Sequence, residues 1–512
     1  MSILKKLAGQ TALYGLSSMI GRAINFLLVP VYTSLLLPAE YGIVTELYAY
    51  AAFFNILYLY GMETTYFRFA NKEGSQEPHI FNQVNTQVLF SSSILSVLLL
   101  LLASPVSSYL ASQGNSPLLI EASRQSYKEY IYYVVLILFT DAALAIAFAR
   151  LRIMNKAFLF AAVKLMNIFL TVLLNVILLW GLPMALASTW LSQDSKEFIL
   201  RFYDPKDLVS YIFISNLIAN VLQFPFLIKT FKGYKIIWDK VLYKPMLVYA
   251  MPLMIMGLAG MINEMLDRLI LKELLPDDFY PGSTKLHALG VYGACYKLSM
   301  FMTLAVQAFR YAAEPFFFSR ASDKSSPQLF ADVMKWFVLV CILLFLIVSL
   351  NLDWIKYFLR NPAYWEGLSI VPILLMANLF LGVYYNLAIW FKLTDKTYWG
   401  IYISLFGALF TIAGNILLIP LIGYMGAAWV TCLCYGLMAF ISLQIGQKYY
   451  PIPYQTGKIV LWIGSAIAIV YLLQFLVIGQ MAVKLLIYNA LILIWLVLVL
   501  VSEKRIIRSK AK

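Results

Sequence analysis

The chain has 512 residues, of which 62% are apolar and 12% charged, with a mean hydropathy of +0.80 and a formal net charge of +14. A water-soluble protein carries roughly a quarter charged residues, so this composition excludes a soluble enzyme and predicts an all-α polytopic membrane protein. The connections between apolar runs are too short to hold a nucleic-acid-binding domain, and the positive charge is expected to meet anionic lipid headgroups instead.

Apolar windows of about 20 residues or more, the length a bilayer core requires, fall at 11–37, 41–66, 84–110, 127–149, 157–180, 208–231, 245–271, 289–313, 331–350, 365–391, 397–419, 425–446, 457–478 and 482–501. This predicts fourteen spans, both termini on one side. With the N-terminus cytoplasmic, about 24 Lys and Arg lie in inner segments and about 10 in outer ones, as the positive-inside rule demands. The basic run Lys229–Lys244, Arg150 with Arg152 and Lys156, and the tail EKRIIRSKAK are then cytoplasmic. The predicted location is a membrane, with both termini cytoplasmic, and no cleavage-site pattern follows the first apolar run.

Polar residues recur at helical spacing inside several spans. Span one carries Tyr14, Ser18, Arg22 and Asn25 on one face; span two carries Glu46 and ends at Glu63; span four carries Asp141. Span five carries Lys164, Asn167, Thr171 and Asn175, span seven Asn263, Glu264, Asp267 and Arg268, and span eight Lys297, Thr303, Gln307, Arg310 and Glu314. An ionised side chain near the bilayer centre costs on the order of 2.5–3.5 kcal/mol on insertion scales, so each such face must meet protein or water. Cys295, Cys341, Cys432 and Cys434 lie in apolar runs and read as packing residues. No metal-ligand spacing and no cofactor motif is present, and neither is expected.

The chain also matches itself. NKAFLFAAVKLMNIFLTVLLNVILL aligns with DKTYWGIYISLFGALFTIAGNILLI, pairing Lys156 with Lys396, Thr171 with Thr411 and Asn175 with Asn415. Pro38 pairs with Pro276, Asn25 with Asn263, Tyr41-Gly42 with Tyr292-Gly293, and Glu63 with Glu314. Six spans, an even number, separate the copies, so the halves are parallel repeats, the plan of a transporter that exposes a central cavity alternately to each side. The expected organisation is a six-helix bundle over 1–240, a second over 241–450, and two additional helices with a basic tail over 451–512.

The segments QTALYG with Arg22 and Asn25 following, LLLPAEYGIVTELYAY, GMETTYFRF and IPLIGYMGAAWVT, in this order, resemble oligosaccharide flippases of the multidrug/oligosaccharidyl-lipid/polysaccharide exporter superfamily. The resemblance implies transfer of an undecaprenyl-diphosphate-linked oligosaccharide to the outer leaflet for surface polysaccharide synthesis, with membrane lipids and polysaccharide polymerase machinery as partners. Lipid II flippases and cation-coupled multidrug antiporters share the fold and stand as alternatives. A membrane-embedded polymerase or glycosyltransferase would leave the repeat unexplained. For a diphosphate cargo, Arg22, Lys164 and Lys297 are the expected binding cations, each with local ion pairing, for instance to Asp141 or Glu46, as the competing role. Asn25, Asn167, Asn263, Gln307 and Arg310 are the expected polar lining. Asp141, and after it Glu46, are the acids available for ion or proton coupling, and Glu63 and Glu314 sit where a cytoplasmic gate would close, or pair with Arg68 and Arg320.

Overall fold

The computed structural model describes residues 19–24, 26–72, 76–112, 117–320, 326–473 and 479–510. Among them the protein is all helical, without strands. The helices are α1 (Met19–Leu35), α2 (Pro38–Ala70), α3 (Glu77–Ser112), α4 (Arg124–Ile153), α5 (Ala157–Ala187), α6 (Leu208–Phe231) and α7 (Lys240–Leu274). They continue with α8 (Lys285–Leu298 and Met300–Phe318, bent by 47°), α9 (Ser326–Leu350), α10 (Ile370–Leu393), α11 (Tyr398–Ile422), α12 (Tyr424–Tyr449), α13 (Thr456–Leu473) and α14 (Met481–Glu503). Among the described residues twelve helices are long and apolar enough to span a membrane, thirteen if the bent α8 is one span. The expected count of fourteen is not reached because the first window, 11–37, begins outside the described residues; its described part is the shorter apolar α1.

Two compact units result. One takes the chain up to Gly293 together with Ala408–Ala427; the other takes Ala294–Gly407 and the chain from Ala428 on. The sequence grouping and the contact grouping differ at α7, which the repeat assigns to the second half and which packs into the first unit. Its N-cap, Asp239, accepts from the Val241 and Leu242 amides and bonds His79 Nε2 at 3.0 Å. Those bonds, the one to His79 first, hold the Asp239 carboxyl below the usual carboxylate range.

Inside the first unit α2 sets the register of its neighbours. Glu40 accepts the Leu37 amide at 2.8 Å and Pro38 starts the helix where no amide partner is needed. Tyr60 and Gly61 then turn left-handed, at φ 31° and 79°, and break it. Gly61 is required twice, for that φ and because a Cβ would press on Leu253 and Ala250 of α7. At its other end Gly42 meets α8 backbone to backbone, its Cβ position overlapping the Leu286 carbonyl while that of Gly290 overlaps the Pro38 carbonyl. Small residues at such crossings let helices approach where lipid offers no hydrophobic drive to association.

The repeat read in the sequence recurs in the backbone. Asn155 and Asp395, matched residues, both take φ 56°. The amide that follows each reaches back to a matched carbonyl at 2.9 Å, Lys156 to Leu151 and Lys396 to Phe391. Further along, Asn175 and Asn415 each donate to the carbonyl of the matched Thr171 or Thr411, at 2.7 and 2.8 Å. In the second unit the two additional helices dock through buried Glu503, which accepts Lys335 of α9 at 2.6 Å and Lys458 of α13 at 3.0 Å. All four cysteines are buried and free.

The close crossing of α2 and α8 gives a direct test. Gly290→Ala should abolish or sharply reduce recovery of folded protein in detergent, because its Cβ has only backbone to displace. Gly260→Ala, which would meet nothing within 4 Å, should leave recovery and unfolding temperature unchanged or slightly raised.

Candidate functional site

Helices α2, α4, α5 and α6 enclose a polar cavity of about 240 Å³ in the first unit. Asp141, Lys164 and Gln223 line it together with Asn55, Glu63 and Arg152, and Phe148 and Phe160 supply its aromatic wall. An amide chain supports it: Asn167 and Gln223 both donate to the Asn220 carbonyl, at 3.0 and 3.2 Å, and Asn220 donates to Asp141 at 2.8 Å. The Lys164 ammonium lies 4.1 Å from the centre of the Phe148 ring, within electrostatic reach of Asp141. Glu63 and Arg152 pair at 3.0 Å toward the exposed side, their side chains 34% and 40% accessible. Two positive and two negative groups therefore share one cavity.

The sequence offered Arg68 as a partner for Glu63; the structure pairs it with Arg152, one face of α4 onward from Asp141, and stacks Arg68 on Tyr249 at 4.1 Å. Lys164, for which the sequence offered diphosphate binding or pairing with Asp141, lines this cavity together with Asp141. Asn167, expected to line a lumen, is the first member of the amide chain.

A second charged cluster joins α2, α4 and α7. Lys272, with no exposed surface, donates to Glu46 at 2.6 Å, and Tyr127 donates to the other carboxylate oxygen at 3.3 Å. Glu46 is thus neutralised rather than free to reach the interface. Nearby, Asp267 takes the Tyr292 hydroxyl, the Arg268 amide at 2.9 Å and the Arg268 guanidinium at 3.2 Å. Arg268, four residues on from Glu264, also donates to the Glu264 backbone carbonyl at 2.6 Å. Asn263 is buried and accepts Thr411 at 3.3 Å.

Arg22 is exposed on α1, whose neighbouring Gly21 packs on Ile168 of α5. In the second unit Lys297 and Gln307 are half-buried, and Arg310 is exposed with its guanidinium 4.6 Å from the Tyr385 ring centre. Asn25 lies outside the described residues, as does the side chain of Glu314. Sequence reasoning missed Lys272, Tyr127, Asn55, Asn220 and Gln223. The available signal was the spacing of Asn220 and Gln223, two amides on one face of an apolar helix; Lys272, at a helix end, looked like a residue that snorkels to the interface.

The profile of the polysaccharide biosynthesis protein family matches residues 7–320. The chain belongs to that family. No curated protein sequence matches it significantly. Among solved structures, the fold is similar to the lipid II flippase MurJ in an inward closed conformation, at TM-score 0.67 and 13% identity over 94% of this chain and 97% of that one. It is similar too to an inward-facing multidrug resistance MATE transporter of the MOP superfamily, at TM-score 0.62 and 12% identity over 87% and 96%. A third is the MATE multidrug transporter DinF-BH, at 0.56 and 14% over 88% and 97%. Family and fold together place this polysaccharide biosynthesis protein in the MOP exporter superfamily as a multi-pass membrane transporter.

Removing one partner of a buried ion pair strands the other charge, at a cost of roughly 3–5 kcal/mol, whereas removing both is often neutral. Lys272→Met should therefore lower the unfolding temperature of the purified family member markedly. Glu46→Gln combined with Lys272→Met should recover most of the loss, and a double-mutant cycle read by thermal unfolding in detergent checks it.

Proposed function

We propose that this protein flips a polyprenyl-diphosphate-linked oligosaccharide from the cytoplasmic to the outer leaflet of a bacterial inner membrane, by alternating access, for surface polysaccharide synthesis. The observation that carries the reading is the match to the polysaccharide biosynthesis protein family, set on a fold shared with a flippase of a lipid-linked sugar. In this reading both termini are cytoplasmic, Glu63 and Arg152 lie at the cytoplasmic end, and Glu46 with Lys272 at the outer end.

The charge distribution supports it. A cation antiporter needs acids free to bind their ion, and in this protein Asp141, Glu46, Glu63 and Asp267 each stand beside a cation or accept hydrogen bonds. Cations elsewhere in the chain keep accessible surface. Arg22 and Arg310 are exposed, and Lys297 is half-buried. A diphosphate stripped of water is held by such groups, an arginine binding two oxygens at once where a lysine is a point charge. Arg22 is therefore assigned to the diphosphate, and polysaccharide polymerase machinery takes the product on the outer side.

Deletion of the gene in its host should abolish the surface glycan and accumulate lipid-linked oligosaccharide facing the cytoplasm. Complementation by the parent should restore export, and by Arg22→Lys in part. Arg22→Ala loses a charge-assisted contact of about 1.5–3 kcal/mol, so export should fall by about 10–100-fold at equal protein level. An unchanged surface glycan in the deletion strain would contradict the function.

A further inference from the structure

We infer that the cavity between α2, α4, α5 and α6 is a binding site for a neutral sugar ring, the residue joined to the diphosphate of the cargo; the inference rests on the flippase reading above. The cavity, open on one side, offers about 240 Å³. Its unmet hydrogen-bonding capacity is of both kinds. Gln223 is 2% exposed, spends its amide hydrogens on Asn220, and leaves its carbonyl oxygen buried with no partner among the described residues. The Asn55 carbonyl oxygen is orphaned in the same way. Opposite in kind, the Lys164 ammonium makes no hydrogen bond among the described residues and rests on the face of Phe148.

Charge decides which ligand class this suits. Asp141 and Glu63 oppose an anion, so the cavity is a poor seat for diphosphate. Lys164 and Arg152 oppose a metal cation a few ångströms away, and the effective dielectric of a protein makes such repulsion worth several kcal/mol at close range. A neutral ligand meets neither barrier. Each hydroxyl of a sugar both donates and accepts, which answers orphaned carbonyls and an unspent ammonium together, and Phe148 and Phe160 offer apolar faces to its C–H side. Buried polar groups left unpaired cost about 1–3 kcal/mol each, so a ligand that pairs them binds at their expense.

The placement fits a sugar next to a diphosphate. Gly21 packs on Ile168, and Ile168 lies one turn beyond Lys164 on the same face of α5, about 6 Å along the axis. Arg22, next to Gly21 on α1, thus stands beside the face of α5 that carries Lys164, as a phosphate stands beside its attached sugar.

The test uses the purified full-length protein in lipid nanodiscs, with undecaprenyl diphosphate carrying one N-acetylhexosamine, one hexose or no sugar, bound and counted by native mass spectrometry. The parent should bind a sugar-bearing lipid at least tenfold more tightly than the bare one. Gln223→Met and Asn55→Leu should each remove most of that preference while leaving affinity for the bare lipid within twofold. Arg22→Ala should weaken all three lipids alike. A sugar preference untouched in both cavity variants, with unfolding temperatures within a few degrees of the parent, overturns the inference and leaves the flippase reading standing. Failure of the parent to bind any of the lipids overturns the flippase reading instead. Should Gln223→Met not fold, Asn55→Leu carries the same comparison, and displacement of the sugar-bearing lipid from the parent by sodium or inorganic diphosphate at the cavity would identify it as an ion site and refute the proposal.

Discussion

A lysine with no exposed surface, held 2.6 Å from a carboxylate that is itself 1% exposed, is the contact on which the arrangement of the first unit turns. In a bilayer neither charge can be left to water, so Lys272 and Glu46 must find each other wherever α7 and α2 are placed. That requirement fixes the register of the two helices, and the glycines of α2 make it sterically possible. Gly42 brings α8 to van der Waals contact at one end, Gly61 admits α7 at the other, and between them Glu46 meets Lys272 and Asn55 faces the cavity. One helix thereby carries a backbone contact, an ion pair, a cavity wall and a hinge-like break at successive levels.

The same rule, that intramembrane charge is compensated locally, gives the site its chemistry. In the first unit Glu46, Asp267, Glu63 and Asp141 stand beside Lys272, Arg268, Arg152, Lys164 or side-chain amides. The cations at Arg22 and Arg310 keep exposed surface. A transporter arranged this way offers positive charge and a polar pocket of balanced charge to its ligand. That arrangement is what supports the proposed sugar diphosphate cargo, on a fold similar both to a lipid II flippase and to multidrug MATE transporters.

Much of the architecture was legible in the sequence because it rests on local patterns. Apolar windows located the helices. The repeat was visible in Asn155 and Asp395, Thr171 and Thr411, Asn175 and Asn415, and the backbone shows why: each pair makes the same turn or the same side-chain bond. What could not be read were partners across helices. Glu46 and Lys272 stand 226 residues apart, and nothing in either neighbourhood marks the other. Glu63 was matched to the arginine nearest in sequence and took one from α4. For Lys164 the sequence offered two roles, phosphate ligand or partner of Asp141, and the structure sets it in one cavity with Asp141.

The central claim is tested most directly by purified protein reconstituted in vesicles loaded on one leaflet with fluorescent undecaprenyl-diphosphate-linked oligosaccharide, with lectin access reporting the sugar on the other. The account predicts that the protein speeds appearance of the sugar on the opposite leaflet well above empty vesicles, and that it gives no uphill transport of an organic cation dye under an imposed proton or sodium gradient. Dye transport driven by either gradient, with the lipid-linked sugar immobile, would contradict it.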